Sequence, residues 1–314
     1  MKSDFPEKQQ LVNLNAALAW SARQAFLERN YLSCNTTPPP NSSFTIHKYL
    51  DKKNLPPNTS ISLSKWKENR SIQQKVMMLT LAMHINIIND GDTDCIFPFT
   101  IHPLKRNEKL YNSSDSELAA YFNKHLNAGL RALGIEPEYY YVITEGAKSN
   151  EIKGTRHIHG SIRLPIKFFD DSLFNPTDPI YELLKRACGL TEVLRKKIEK
   201  EEGRSSDYKF AIAARNSKEL GDDKPYGRMV DIGCPLSRHW TQTSWQMYVA
   251  GDKNFPNSLH KTKNLGKQAE ALNDDLVVAL TKLKRTQQWN QCNDRFVMVA
   301  EAWSKSITDY LDRT

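Results

Sequence analysis

Thr155–Leu164 reads TRHIHGSIRL, and its alternation governs how the surrounding chain can fold. On a β-strand, residues two apart share a face. Ile158, Ile162 and Leu164 therefore form an apolar face, and His157, His159 and Ser161 a polar one. That pattern predicts a half-buried strand of an antiparallel sheet. The two imidazoles stand side by side on it, and neutral imidazoles at that spacing supply half of a divalent-metal site. The plainer reading is a pair of histidines on the outer face of a strand.

Upstream, Tyr139–Glu145 (YYYVITE) is a strand by composition. The turn from Gly146 to Gly154 predicts a hairpin that sets Glu145 beside the histidines. A carboxylate with two imidazoles makes a three-ligand site with positions open to substrate oxygens. Cys95–His102 (CIFPFTIH) is a further strand, with Pro98 expected at an edge or bulge. Asp115–Leu133 is an amphipathic helix, capped around Ser113, Ser114 and Asp115 and followed by Gly134. Downstream, the sequence predicts one long charged helix over Pro179–Glu202, strands at Tyr208–Ala214 and Arg228–Gly233, and a tryptophan-rich helix over Thr241–Ala250. On the long helix Arg195, Lys196, Lys197 and Lys200 are interleaved with Glu192, Glu199, Glu201 and Glu202, the pattern of a solvated face.

Both flanks read as helical. Leu11–Tyr31 and a block from about Ser64 to Ile88 precede a turn-rich junction at Asn89–Asp94, and Cys34–Ser43 is a proline-interrupted breaker. Gly266–Thr314 reads as two helices joined near Trp289–Asn293. The expected organisation is a helical N-terminal extension (1–92), a central domain (93–256) and a C-terminal helical segment (257–314). The expected class is α+β, a central antiparallel sheet of about five strands flanked by helices.

Composition narrows the partners. The chain has 314 residues, with 44 Lys+Arg against 36 Asp+Glu and a net charge of +8. A pI near 9.1 favours a polyanion, nucleic acid before membrane surface. The longest uncharged apolar stretch, Val76–Met83, is far below the roughly 20 residues a membrane span needs. The start, MKSDFPEKQQ, does not read as a signal peptide. Five scattered cysteines (Cys34, Cys95, Cys188, Cys234 and Cys292) form no CxxC and point to a reducing compartment. A cytoplasmic protein without a small-molecule cofactor is expected.

An aromatic strand, a helix, a strand ending in Glu145 and a strand carrying His157-Ile158-His159 occur in an order that resembles the HUH endonuclease superfamily. The resemblance covers roughly Cys95–Pro256. It extends to Met229–Lys253, a strand followed by a helix bearing Tyr248 with Lys253 beyond it. It implies an HUH-nuclease-like fold and Mg²⁺ or Mn²⁺ held by His157, His159 and Glu145. Tyr248 is then the nucleophile on a DNA phosphodiester and Lys253 its helper. A phenol of pKa about 10 is a weak nucleophile at neutral pH, which is why the phosphate needs polarising. Lys253 lies beyond Gly251, a departure from the family's usual placement on the same helical face.

With Tyr248 after the histidine pair, the order matches rolling-circle replication initiators and single-tyrosine transposases rather than relaxases. The helical extensions favour an initiator of a plasmid, phage or other mobile element, acting on single-stranded or locally melted DNA. A transposase, or a nickase attacking competitor DNA, is the alternative within the class. A non-catalytic DNA-binding protein or repressor is the alternative outside it. Arg156 and Arg163 flank the histidines and, with Lys105 and Arg106, are expected to touch DNA. No GxxxxGK[ST] motif occurs, so strand separation would fall to a partner helicase.

Overall fold

The structure is a computed structural model that describes residues 63, 65–67, 72–90, 94–101, 103, 107–145, 156–165, 179–202, 230–232, 249, 259–291 and 295–311. In chain order its elements are α1 (Ile72–Asn89), β1 (Asp94–Ile101), α2 (Glu108–Tyr111), α3 (Asp115–Ala132), β2 (Tyr139–Glu145), β3 (Arg156–Pro165), α4 (Pro179–Ala187), α5 (Glu192–Glu202), β4 (Val230–Ile232), β5 (Leu259–Lys261), α6 (Lys263–Lys284), α7 (Gln287–Gln291) and α8 (Arg295–Leu311). The helix expected at Leu11–Tyr31, the breaker at Cys34–Ser43 and the strand at Tyr208–Ala214 lie outside the described residues, as does the helix at Thr241–Ala250 apart from Val249.

The described residues fall into two compact units, the sheet with α2–α5 in one and α1 with α6–α8 in the other. The expected α+β mix is present. The sheet runs β4-β1-β3-β2-β5, with every neighbouring pair antiparallel. β3 is an inner strand: all eight residues of β1 pair with it on one side and all seven of β2 on the other. β4 meets β1 only at Phe99–Ile101, so Pro98, which has no N–H to donate, lies beyond the β1–β4 pairing. β5 falls in the stretch read as the start of the C-terminal helical segment, and it pairs with β2.

One sheet face forms the core. Phe97, Phe99 and Ile101 from β1, Tyr139, Tyr141 and Ile143 from β2, and Ile158, Ile162 and Leu164 from β3 are buried with Phe122, Leu126 and Leu130 of α3 and Leu183 and Leu184 of α4. Gly160 sits in the cross-strand row Phe99–Gly160–Tyr141. A Cβ there would collide with the Tyr140 carbonyl and come within 2.7 Å of the Phe99 ring. Glycine inside this strand is thus what admits two aromatic neighbours.

Helix α3 begins as the sequence dictates. Ser114 Oγ accepts from the Glu117 N–H at 3.3 Å, and Glu117 Oε2 accepts from the Ser114 N–H at 2.9 Å, a capping box. These bonds hold the Glu117 carboxyl below its usual range. The Tyr139 and Tyr141 hydroxyls each lie 3.0 Å from Asn123 Oδ1, tying β2 to α3.

The single helix expected over Pro179–Glu202 is two. The chain turns at Gly189, whose φ of +100° favours glycine, and the Gly189 carbonyl accepts from Asn107 Nδ2 at 3.0 Å. Thr191 restarts the helix by accepting from the Leu194 N–H at 3.2 Å. Glu182 accepts from Lys185 Nζ at 2.8 Å and from Arg195, joining α4 to α5. Arg195 is therefore mostly buried, unlike the solvated face expected of it.

In the helical unit α6 packs against both α1 and α8. Val76–Met83 is buried throughout, and the Trp303 indole donates to the Leu276 carbonyl at 3.2 Å. The second helical block starts at Ile72, later than the expected Ser64, with a turn at Trp66–Lys67 before it. The tail holds the short α7 where a joint between two helices was expected. Among the described residues no helix is long and apolar enough to cross a membrane.

Candidate functional site

β3 alternates as its sequence requires. Ile158, Ile162 and Leu164 enter the helix-packed core, while His157, His159 and Ser161 belong to the opposite face. The two imidazoles meet edge to face, with ring centroids 4.1 Å apart. Both are buried, His157 8% exposed and His159 3%. Two imidazoles so close on one strand face are donor groups that one cation could share.

The register supplies their surroundings. Thr144 is paired with His157, and Val142 and Thr100 flank His159 on the two neighbouring strands. Thr144 Oγ1 lies 2.9 Å from His157 Nε2, a buried hydrogen bond across the β2–β3 ladder. Such a bond fixes a ring's orientation. Thr144 is the site residue that sequence reasoning missed. A hairpin with a turn of unknown geometry leaves the facing parity open, so either Thr144 or Glu145 could have matched His157.

Glu145 stands opposite Arg156, one step past the Thr144–His157 pair. Direct partners in an antiparallel ladder share a face. Positions 145 and 156 therefore alternate with the histidine set and fall in phase with Ile143 and Ile158. Among the described residues, no group of three or more His, Cys, Asp or Glu is placed to hold a metal ion. Of the expected ligands, His157 and His159 are the two whose side chains are seen to meet.

Arg163, expected to touch DNA, is committed inside the sheet unit. Its Nε donates to Asp94 Oδ2 at 2.7 Å and its guanidinium to Glu138 Oε2 at 3.1 Å, with the side chain 11% exposed. It ties the start of β1 to the residue before β2. Tyr248, Lys253, Lys105 and Arg106 lie outside the described residues.

Two tyrosines of β2, on the core face of the sheet, are poor nucleophiles. Burial pushes the Tyr139 phenol up to about 12, against the opposing hydrogen bond to Asn127. Burial also raises the Tyr141 phenol, with Tyr139 beside it adding to the effect. Both stay neutral and hydrogen-bonded at physiological pH. Compared with known proteins, the chain matches no family model, no curated protein and no solved structure.

Proposed function

We propose that the chain is a divalent-metal-dependent, site-specific DNA-nicking endonuclease of the HUH type, initiating rolling-circle-type replication of a mobile element. The observation that carries this reading is the buried, same-face pair His157 and His159 on the inner strand of an antiparallel sheet. On this reading β4 and β5 complete the five-strand sheet of an HUH-like nuclease.

His157 and His159 would hold Mg²⁺ or Mn²⁺, with Thr144 orienting His157. The bound ion supplies Lewis-acid polarisation of the scissile phosphate. Tyr248 supplies the phenolic oxygen that forms the new bond to phosphorus. The bond from phosphorus to the 3′ oxygen breaks, the phenolic proton departs, and the 3′ oxygen takes up a proton. The products are a 5′-phosphotyrosine and a strand ending in 3′-OH. The phosphodiester count is unchanged, so a free 3′-OH can reverse the step. Lys253 would assist at the nucleophile. DNA, single-stranded or locally melted, is the partner, with a separate helicase opening it.

The test uses a single-stranded oligonucleotide labelled at its 3′ end, with Mn²⁺. The label is expected on the protein, at Tyr248 by peptide mapping. Tyr248→Phe and the His157→Ala/His159→Ala variant should give no adduct while still binding DNA. An adduct on Tyr208 or Tyr226 refutes the nucleophile assignment. Binding without any cleavage by the natural chain would favour a non-catalytic DNA-binding protein.

A further inference from the structure

We propose that β5 is an acid-released edge strand, paired with β2 while the His260 ring is neutral and freed when that ring takes up a second proton. The proposal is independent of the nuclease reading. β5 is three residues long and, among the described residues, pairs with β2 alone. Leu259 faces Val142, His260 faces Tyr141 and Lys261 faces Tyr140. The Thr262 N–H extends the ladder by donating to the Tyr139 carbonyl at 3.0 Å. Directly opposed residues share a face, so His260 stands with Tyr141 on the helix-packed side of the sheet. The two rings stack there, with centroids 4.9 Å apart and planes 20° from parallel.

Charge is what this seat cannot take. His260 Nε2 is closed off from solvent and has no hydrogen-bond partner among the described residues. A buried lone pair is tolerable there, whereas a buried cationic N–H without an acceptor is costly. Thr262 Oγ1, two residues on, is likewise buried without a partner among the described residues, so this neutral oxygen is not bonded to the ring. Of the charged groups around the ring, Asp115 at the start of α3 favours the cation and Lys261 disfavours it. Tyr139 and Tyr141, the titratable groups of β2 on this face, are kept neutral by burial. Burial of the ring outweighs the carboxylate and holds the imidazole below its ordinary 6.5. Freed from the sheet, the same ring regains its ordinary affinity for a proton. The stability of β5 pairing is therefore complete above 6.5 and is lost as pH falls through the folded value. A strand this short has few other bonds to set against that loss.

The experiment follows amide hydrogen exchange of the full chain by NMR at about pH 7.5 and about pH 5, corrected for intrinsic exchange, and titrates the His260 ring resonances over that range. The Thr262 N–H, which donates to Tyr139, is the readout, and the amides between β1 and β3 are the reference. Protection of Thr262 is expected to fall about tenfold at the lower pH while the reference stays within about twofold. The ring should titrate below 6.5. His260→Phe keeps a ring for Tyr141 and cannot take a proton, so its Thr262 protection should hold within about twofold. His260→Leu is read by the same thresholds if His260→Phe does not fold. Unchanged Thr262 protection in the natural chain overturns the proposal. So does an equal fall in the His260 variant, a fall shared by the reference amides, or a ring that titrates at or above 6.5.

Discussion

At the scale of single residues, Thr144 holds His157 by one ring nitrogen. Its Oγ1 lies 2.9 Å from Nε2, which fixes the orientation of the ring. Thr144→Val keeps the β-branch and removes the hydroxyl. It is expected to weaken Mn²⁺ binding by about 10–100-fold, the usual cost of removing a partner behind a ligating histidine, with little loss of fold. A Mn²⁺ titration by calorimetry checks it, and a melting temperature measured in EDTA separates loss of the ligand from loss of structure. Tyr139 gives a test in alkali. Its folded phenol sits near 12 against an ordinary 10.0, so the folded state holds the proton more tightly than the unfolded chain does. Its contribution to stability is complete below the unfolded value and is lost as pH rises from about 10 to about 12. Melting followed across that range, with phenolate absorbance as the second readout, should show the fall. Titration of the folded protein's Tyr139 near 10 would contradict the burial assigned to it.

Among the elements, those with strong local signals were legible and those set by parity or by one backbone angle were not. The β1, β2 and β3 stretches and the α3 capping box follow from alternation and from Ser114 with Glu117. The pairing of Glu145 with Arg156 did not follow, because the turn leaves the register of a hairpin open by a residue. β5 escaped because three residues, Leu259–Lys261, are too few for a period to show. The break between α4 and α5 was hidden by charge: the acidic and basic residues continue across it, while Gly189 and Thr191 carried the signal. That break makes the two helices interdependent through Glu182. Burial alone would raise its carboxyl, but hydrogen bonds from Lys185 and Arg195 hold it below the usual range. Lys185 is 0% exposed, so Glu182→Ala would leave a buried ammonium without this carboxylate. A loss of about 3 kcal/mol is expected from such a broken pair, read as a lower urea midpoint. The lowered pKa also sets the acid limb. The stability from Glu182 is present above its ordinary 4.5 and lost as pH falls through the folded value, a component the variant should lack.

For the whole molecule, charge and connectivity together decide how DNA recognition can be dissected. α1 precedes the sheet unit in sequence and α6–α8 follow it, yet α1 packs on α6. Deleting either flank would strip the other of its partner and expose the buried run from Val76 to Met83 or Leu276 and Leu280. Truncation therefore confounds specificity with folding, and surface charge is the cleaner probe. Lys282 and Arg285, at the end of α6, are exposed and belong to the helical unit. If that unit supplies phosphate contacts, affinity for a single-stranded oligonucleotide should fall with salt, by about 0.7 in logarithmic slope for each phosphate neutralised. Lys282→Glu/Arg285→Glu should then flatten the slope by about 1.4 and weaken binding. Mn²⁺ affinity should not change, because no residue of β1–β5 is altered. Anisotropy titrations at several salt concentrations measure both terms. An unchanged slope would assign the phosphate contacts to the sheet unit and leave the helical unit a task other than holding the backbone. A flattened slope on every oligonucleotide alike would give it positioning without sequence choice, since phosphate contacts carry no sequence information.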